Sequence, residues 1–189
     1  MITRNKTIYA LTYSFLKGAG KGKVWERDSD HRRFHSMMFY GGVRDAGNIS
    51  TPYTSLAASA LEREPTPDHF LSPRLVFLAM MDQCREVLKD REKFYEMMDV
   101  CRHTVKITSE ENNSVKYKPD KVGTGLIPIV TARTVDKYDS FGWVDKGKGL
   151  LTERKGGKLV NKPFPLKHMI PDWLTAFEEK CMKHHGFIR

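Results

Sequence analysis

No stretch of this 189-residue chain approaches the roughly 20 consecutive apolar residues of a membrane-spanning helix. Its opening, Met1-Ile2-Thr3-Arg4-Asn5-Lys6, has no apolar core of the secretory-signal kind, so an intracellular, cytoplasmic protein is expected. Cysteine is scarce and odd in number. Cys84, Cys101 and Cys181 stand far apart, which leaves no Cys-x-x-Cys zinc pair, and each falls on an apolar stripe of helical spacing, as a reduced core residue does. The Gly-x-x-x-x-Gly-Lys-Ser/Thr spacing of a nucleotide loop is missing from Lys17-Gly18-Ala19-Gly20-Lys21-Gly22-Lys23. That segment reads as a basic loop or hairpin, either touching a phosphate backbone or simply solvated. Internal repeats, coiled-coil heptads and low-complexity tracts are absent too.

The composition, 40% apolar, 11% aromatic and 29% charged, is that of a globular protein rather than a disordered one. A single domain over residues 1–189 is expected, with sub-regions at 1–50, 51–117 and 118–189. The net charge of +9 is unevenly spread: +5 over residues 1–50, −3 over 51–113 and +7 over 114–189. An acidic centre between basic ends suits a metal-dependent nuclease, whose carboxylates hold an ion while cations hold phosphates. It suits equally a basic nucleic-acid-binding protein with acid-rich amphipathic helices.

Along the chain, residues 6–16 read as a first strand and residues 25–40 as a helix carrying His31, Phe34, His35 and Met38 on one face. Gly41 to Asn48 reads as a connector, and Thr51-Pro52 as a helix start with Leu56, Ala57, Ala60 and Leu61 on its apolar stripe. Ser72-Pro73 opens a helix reaching about Lys89, and Phe94, Met97, Met98 and Cys101 mark another. Thr104 to Ile107 is a strand, followed by Thr108-Ser109-Glu110-Glu111, a capping box that places Asn112 and Asn113 in the first turn of a helix. Beyond it lie an edge strand at Leu126 to Val130, basic hairpins at Asp145 to Lys148 and Arg154 to Lys158, and a last helix opening at Pro171-Asp172-Trp173. The fold class is α+β, helices with a small antiparallel sheet.

Asp68-His69 follows Pro65 and Pro67 in a stiff segment, and such a pair supplies a metal-binding carboxylate and an imidazole base. The pair, then a strand, then a helix opening on Asn and followed by Lys116, resembles the HNH or His-Me finger endonucleases, most of all the small HNH-like proteins of bacteriophages. The resemblance spans about a third of the chain, residues 65–117, with two helix-like segments inserted between His69 and the strand. It implies a ββα-metal centre and metal-dependent hydrolysis of DNA. His69 would be the base and Asp68 a ligand of one Mg²⁺ or similar ion. Asn112 or Asn113 would orient the histidine or serve as second ligand.

Lys21, Lys23, Arg32, Arg33, Arg74, Lys116, Lys146, Lys148 and Lys155 are the candidate phosphate contacts, with Tyr138, Phe141 and Trp143 placed to stack bases. Asp28, Asp30, His31 and His35 form a rival metal set. His184 and His185 are weaker, since adjacent helical residues point about 100° apart. Besides the endonuclease, two further readings stand: a non-catalytic phage nucleic-acid-binding protein, and an inhibitor of a host factor using its aromatic carboxyl-terminal half.

Overall fold

The computed structural model describes residues 3–19, 29–62, 64–71, 73, 76, 85–114, 141–155, 158–161 and 172–173. The chain begins not with a strand but with helix α1, Lys6–Ala19. Tyr9, Tyr13 and Leu16 recur at intervals of four and three and are buried, a helical period that outweighs the β-favouring composition of the segment. Asn5 Oδ1 caps the helix by accepting the Ile8 amide at 3.3 Å. Helix α2, Ser29–Asp45, runs on through the expected connector at Gly41 and Gly42, and the turn comes at Gly47, where φ is +85°.

Thr51-Pro52 is likewise not a helix start. It lies in strand β1, Ile49–Ser55, the middle strand of a five-stranded mixed sheet of order β2-β3-β1-β4-β5. Strand β2 is Thr66–His69, β3 His103–Ile107, β4 Trp143–Asp145 and β5 Gly149–Leu150. Because β1 runs parallel to β3 while the other pairs are antiparallel, the sheet is mixed and not the antiparallel one expected. Proline has no amide to give a central strand, and Pro52 sits in the register shift between Ser50 and Thr54. The true helix start is Ser55, whose Oγ accepts the Ala58 amide at 3.0 Å and opens α3, Leu56–Ser59. Strands β6, Thr152–Lys155, and β7, Lys158–Asn161, form a separate hairpin.

Helix α4, Arg91–Arg102, is capped by the Asp90 carboxylate and buries Phe94, Met97, Met98 and Cys101, the stripe that the sequence displays. Around it gather Tyr9, Tyr13 and Phe39, with Tyr9 edge-on to Tyr95 of the helix at 5.1 Å. A polar knot joins α1 to α4. The Asp99 carboxylate accepts Tyr9 Oη at 2.5 Å and Arg4 Nε at 2.8 Å, and Arg102 donates to Tyr9 Oη at 3.0 Å and to the Gly47 carbonyl at 2.6 Å. Burial, and then the bond to Asp99, raise the Tyr9 phenol well above its ordinary range. Among the described residues no helix is long and apolar enough to cross a membrane.

Two adjacent glycines in α2 meet opposite surroundings. A Cβ on Gly42 would stand 2.3 Å from Thr12 Oγ1 of α1, whereas one on Gly41 meets nothing within 4 Å. Gly42→Ala should therefore lower stability by about 1–3 kcal/mol through overpacking. Gly41→Ala should raise it by up to about 1 kcal/mol through helix propensity. Urea unfolding of the two variants measures the contrast, and equal effects would contradict the close approach of α1 and α2.

Candidate functional site

His69 ends β2, an edge strand, and is paired in register with Thr104 of β3. The chain between them thus brings the strand at Thr104 back beside the histidine. Its Nδ1 stands 2.7 Å from the Cys101 carbonyl oxygen in the last turn of α4. A carbonyl only accepts, so Nδ1 carries the hydrogen and donates it, and Nε2 of the neutral ring keeps its lone pair. Tyr40 of α2 meets the ring edge-on with centroids 6.0 Å apart. His103 makes a matching bond, from Nδ1 to the Asp99 carbonyl at 2.8 Å, and its amide caps the Val100 carbonyl. Two histidines and one amide thereby satisfy carbonyls that the end of a helix otherwise leaves without partners.

The capping box forms as its sequence dictates. The Glu111 amide donates to Thr108 Oγ1 at 3.0 Å, and Glu111 Oε2 accepts the Thr108 amide at 2.8 Å. The same Oε2 accepts Ser55 Oγ at 2.6 Å, which ties the start of α5, Ser109–Ser114, to the start of α3. Asn112 and Asn113 lie in α5, at its exposed or half-exposed side. Thr66 is the β2 residue that approaches Ser109, Oγ to Oγ at 3.4 Å. Thr66 and His69 are opposite ends of β2, roughly 10 Å apart at about 3.3 Å per residue.

Asp68 and His69 do not converge. Strand alternation sends neighbouring side chains to opposite faces, His69 to that of Thr104 and Asp68 to that of Val105. Among the described residues no group of three or more His, Cys, Asp and Glu stands close enough to hold a metal ion. Cys101 is a free buried thiol, as the sequence predicts, and burial raises it far above the usual thiol range.

The second candidate surface is the β4–β5 turn. Asp145 is buried, and its Oδ1 accepts the Gly147 amide at 2.8 Å while its carbonyl accepts the Lys148 amide at 3.1 Å. Gly149 supplies the positive φ of +83° that closes the turn, and Lys146 and Lys148 are left exposed at the tip. In the β6–β7 hairpin the register sets Lys155 opposite Lys158. Arg32 and Arg33 lie in α2. Lys21, Lys23, Arg74, Lys116, Asp28, Tyr138, His184, His185 and the strand expected at 126–130 lie outside the described residues, as do Cys84 and Cys181. Phe141 and Trp143 are close, with ring centroids 6.3 Å apart, but Trp143 is a core residue and not a stacking platform.

Reading residues 6–16 as a strand hid a third feature, an apolar groove of about 620 Å³ between α1 and α2. Its signal was present: Ile8, Leu11, Thr12 and Phe15 stand at i, i+3, i+4 and i+7, and all four line the groove.

Burial holds the His103 imidazole below its ordinary value near 6.5, against the opposing bond to the Asp99 carbonyl. The unfolded chain then binds a proton that the folded chain does not, so this residue withdraws stability as pH falls below about 6.5. Urea unfolding between about pH 7.5 and 5 should show stability falling less steeply in His103→Gln than in the native chain. Parallel profiles would remove His103 as the cause.

Set beside known proteins, the chain matches no protein-family model, no curated protein and no solved structure.

Proposed function

We propose that this protein binds nucleic acid, DNA in the first instance, through phosphate contacts of its basic turns. The observation that carries this reading is the β4–β5 turn, whose one acid, Asp145, is buried and bonded to the turn's own backbone while Lys146 and Lys148 are exposed. Cations presented without an exposed acid between them neutralise phosphates and release counterions. The net charge of +9 supports the same reading.

A second reading is favoured by one specific geometry: HNH-like hydrolysis of phosphodiester bonds with His69 as base. Strands β2 and β3 are antiparallel and α5 follows β3, a ββα order. The Cys101 carbonyl accepts from Nδ1, so in a neutral His69 the basic nitrogen is Nε2. On this reading Asp68 and an Asn of α5, as the resemblance implies, would hold one Mg²⁺ or similar ion that would neutralise charge on the phosphate.

One experiment separates the readings. Plasmid and single-stranded DNA are incubated with the native protein and His69→Ala in Mg²⁺, Mn²⁺ or chelator, and binding is followed against salt. On the binding reading both proteins retard DNA, neither cuts, and the log–log salt slope is about −0.9 per phosphate contact on duplex. Lys146→Ala and Lys148→Ala should each reduce that slope by about 1. Cutting that falls about 10²–10⁴-fold in His69→Ala would establish the hydrolytic reading instead. Absence of salt-dependent retardation would refute both.

A further inference from the structure

We infer that the apolar groove between α1 and α2 is the face through which two copies of this chain pair about a two-fold axis, with four helices packing together. Five of the six large apolar side chains that stand exposed among the described residues belong to these two helices. Each helix carries the same outward stripe. In α1 it is Ile8, Leu11, Thr12 and Phe15, and in α2 Phe34, Met37, Met38 and Gly41, both at i, i+3, i+4 and i+7. The opposite side of each helix is already spent on the chain's own core, through Tyr9, Tyr13 and Leu16 in α1 and Phe39 and Val43 in α2. Two adjacent helices that bury one side and bare a second apolar stripe are half of a four-helix bundle, and a second copy supplies the other half.

The balance of charge selects that occupant. Of the residues lining the groove only Arg44 and Asp45 are charged, one of each sign, and they pair with each other at 3.0 Å. Such a face has no net charge with which to draw an acidic or a basic partner. In a two-fold pair the same patch meets itself, so any net charge would be set against its own copy. A patch with one charge of each sign meets its copy without that repulsion.

The exposed area points the same way. Leu11, Phe34, Met37 and Met38 are 66%, 53%, 62% and 43% exposed, which at roughly 200 Å² for a large side chain leaves roughly 450 Å² of apolar surface in water. A standard interface covers about 800 Å² on each partner, and in homodimers about 65% of it is apolar, or about 520 Å². The four side chains come close to that figure, and the half-buried Ile8 and Phe15 lie beside them. Gly41 lets the copies approach closely, since nothing stands within 4 Å of where its Cβ would be. Met37 and Met38 are unbranched and adjust to the surface they meet. This face is distinct from His69 and from the β4–β5 turn, so the inference does not rest on the nucleic-acid reading.

The test is sedimentation equilibrium of the whole chain from about 1 to 200 µM, where single chains should give way to dimers with a dissociation constant on the order of 10 µM. Leu11→Glu and Met37→Glu enter a two-fold interface twice, and each should weaken pairing about tenfold or more. Leu150→Glu, at a residue 60% exposed on β5, should leave pairing unchanged. Arg44→Glu gives the patch two negative charges and Asp45→Arg two positive ones, so each variant alone should pair about threefold or more weaker than the native chain. Mixed in equal amounts, the two should pair with each other at least as tightly as native copies do. All these sites are exposed, so circular dichroism and melting should stay native, and the mixing experiment decides the matter even where a glutamate variant fails to fold. Single chains throughout the range would overturn the inference, and so would a dimer that survives Leu11→Glu and Met37→Glu. Equal loss in Leu150→Glu, or charge variants that pair no better mixed than apart, would overturn it too. A single chain that binds phosphatidylcholine vesicles and loses them in Leu11→Glu would replace the second copy with a lipid surface.

Discussion

The fold turns on one buried carboxylate. Asp99 stands near the end of α4 with a side chain only 10% exposed, and it draws in Arg4 from the first residues, Tyr9 from α1 and Arg102 from its own helix. Arg102 in turn reaches the carbonyls of Thr3 and Gly47, so the entry to α1 and the turn before β1 are fixed to the same point. Removing one member of such a set strands the others in a medium that cannot solvate them, at a cost of about 3–5 kcal/mol. Against a typical total of about 5–15 kcal/mol, that decides whether the amino-terminal helices stay docked.

The same helix end organises the candidate site. Carbonyls of Asp99, Val100 and Cys101 would be left without donors where α4 stops, and His103 and His69 supply the missing hydrogens. The histidine singled out by chemistry is therefore also a structural donor, tethered to a carbonyl 32 residues further along the chain. Its position is held by the bond to the end of α4 and by its place on the edge strand β2. The acid beside it in sequence is placed by strand alternation on the other face.

Local signals were the legible ones. The capping box at Thr108 to Glu111, the stripe of α4, the strand before it in the sheet and both carboxyl-terminal hairpins follow from residues a few positions apart. What misled were segments where tertiary partners overruled local chemistry. Thr51-Pro52 has the residues of a helix start, yet β3 and β4 flank it on both sides and the register shift absorbs the proline. Residues 6–16 are rich in β-favouring types, but α1 buries Tyr9, Tyr13 and Leu16 on one side and presents Leu11 on the other. A helix apolar on two faces shows no clean stripe, and its neighbour α2 is what separates the faces.

The parallel pairing of β1 with β3 has a consequence for how this chain comes off the ribosome. Both partners of the central strand are encoded after it: β3 ends at Ile107 and β4 at Asp145, 90 residues beyond Ser55. At about 5–20 residues per second, β1 waits roughly 3–10 s for β3, and its other edge roughly 5–18 s for β4. Thr51 cannot give its hydroxyl to the Thr104 carbonyl until 53 further residues exist. Over that interval the nascent strand is a template for any other exposed strand, and the proline at its centre, which breaks the row of donors, is the residue that guards it.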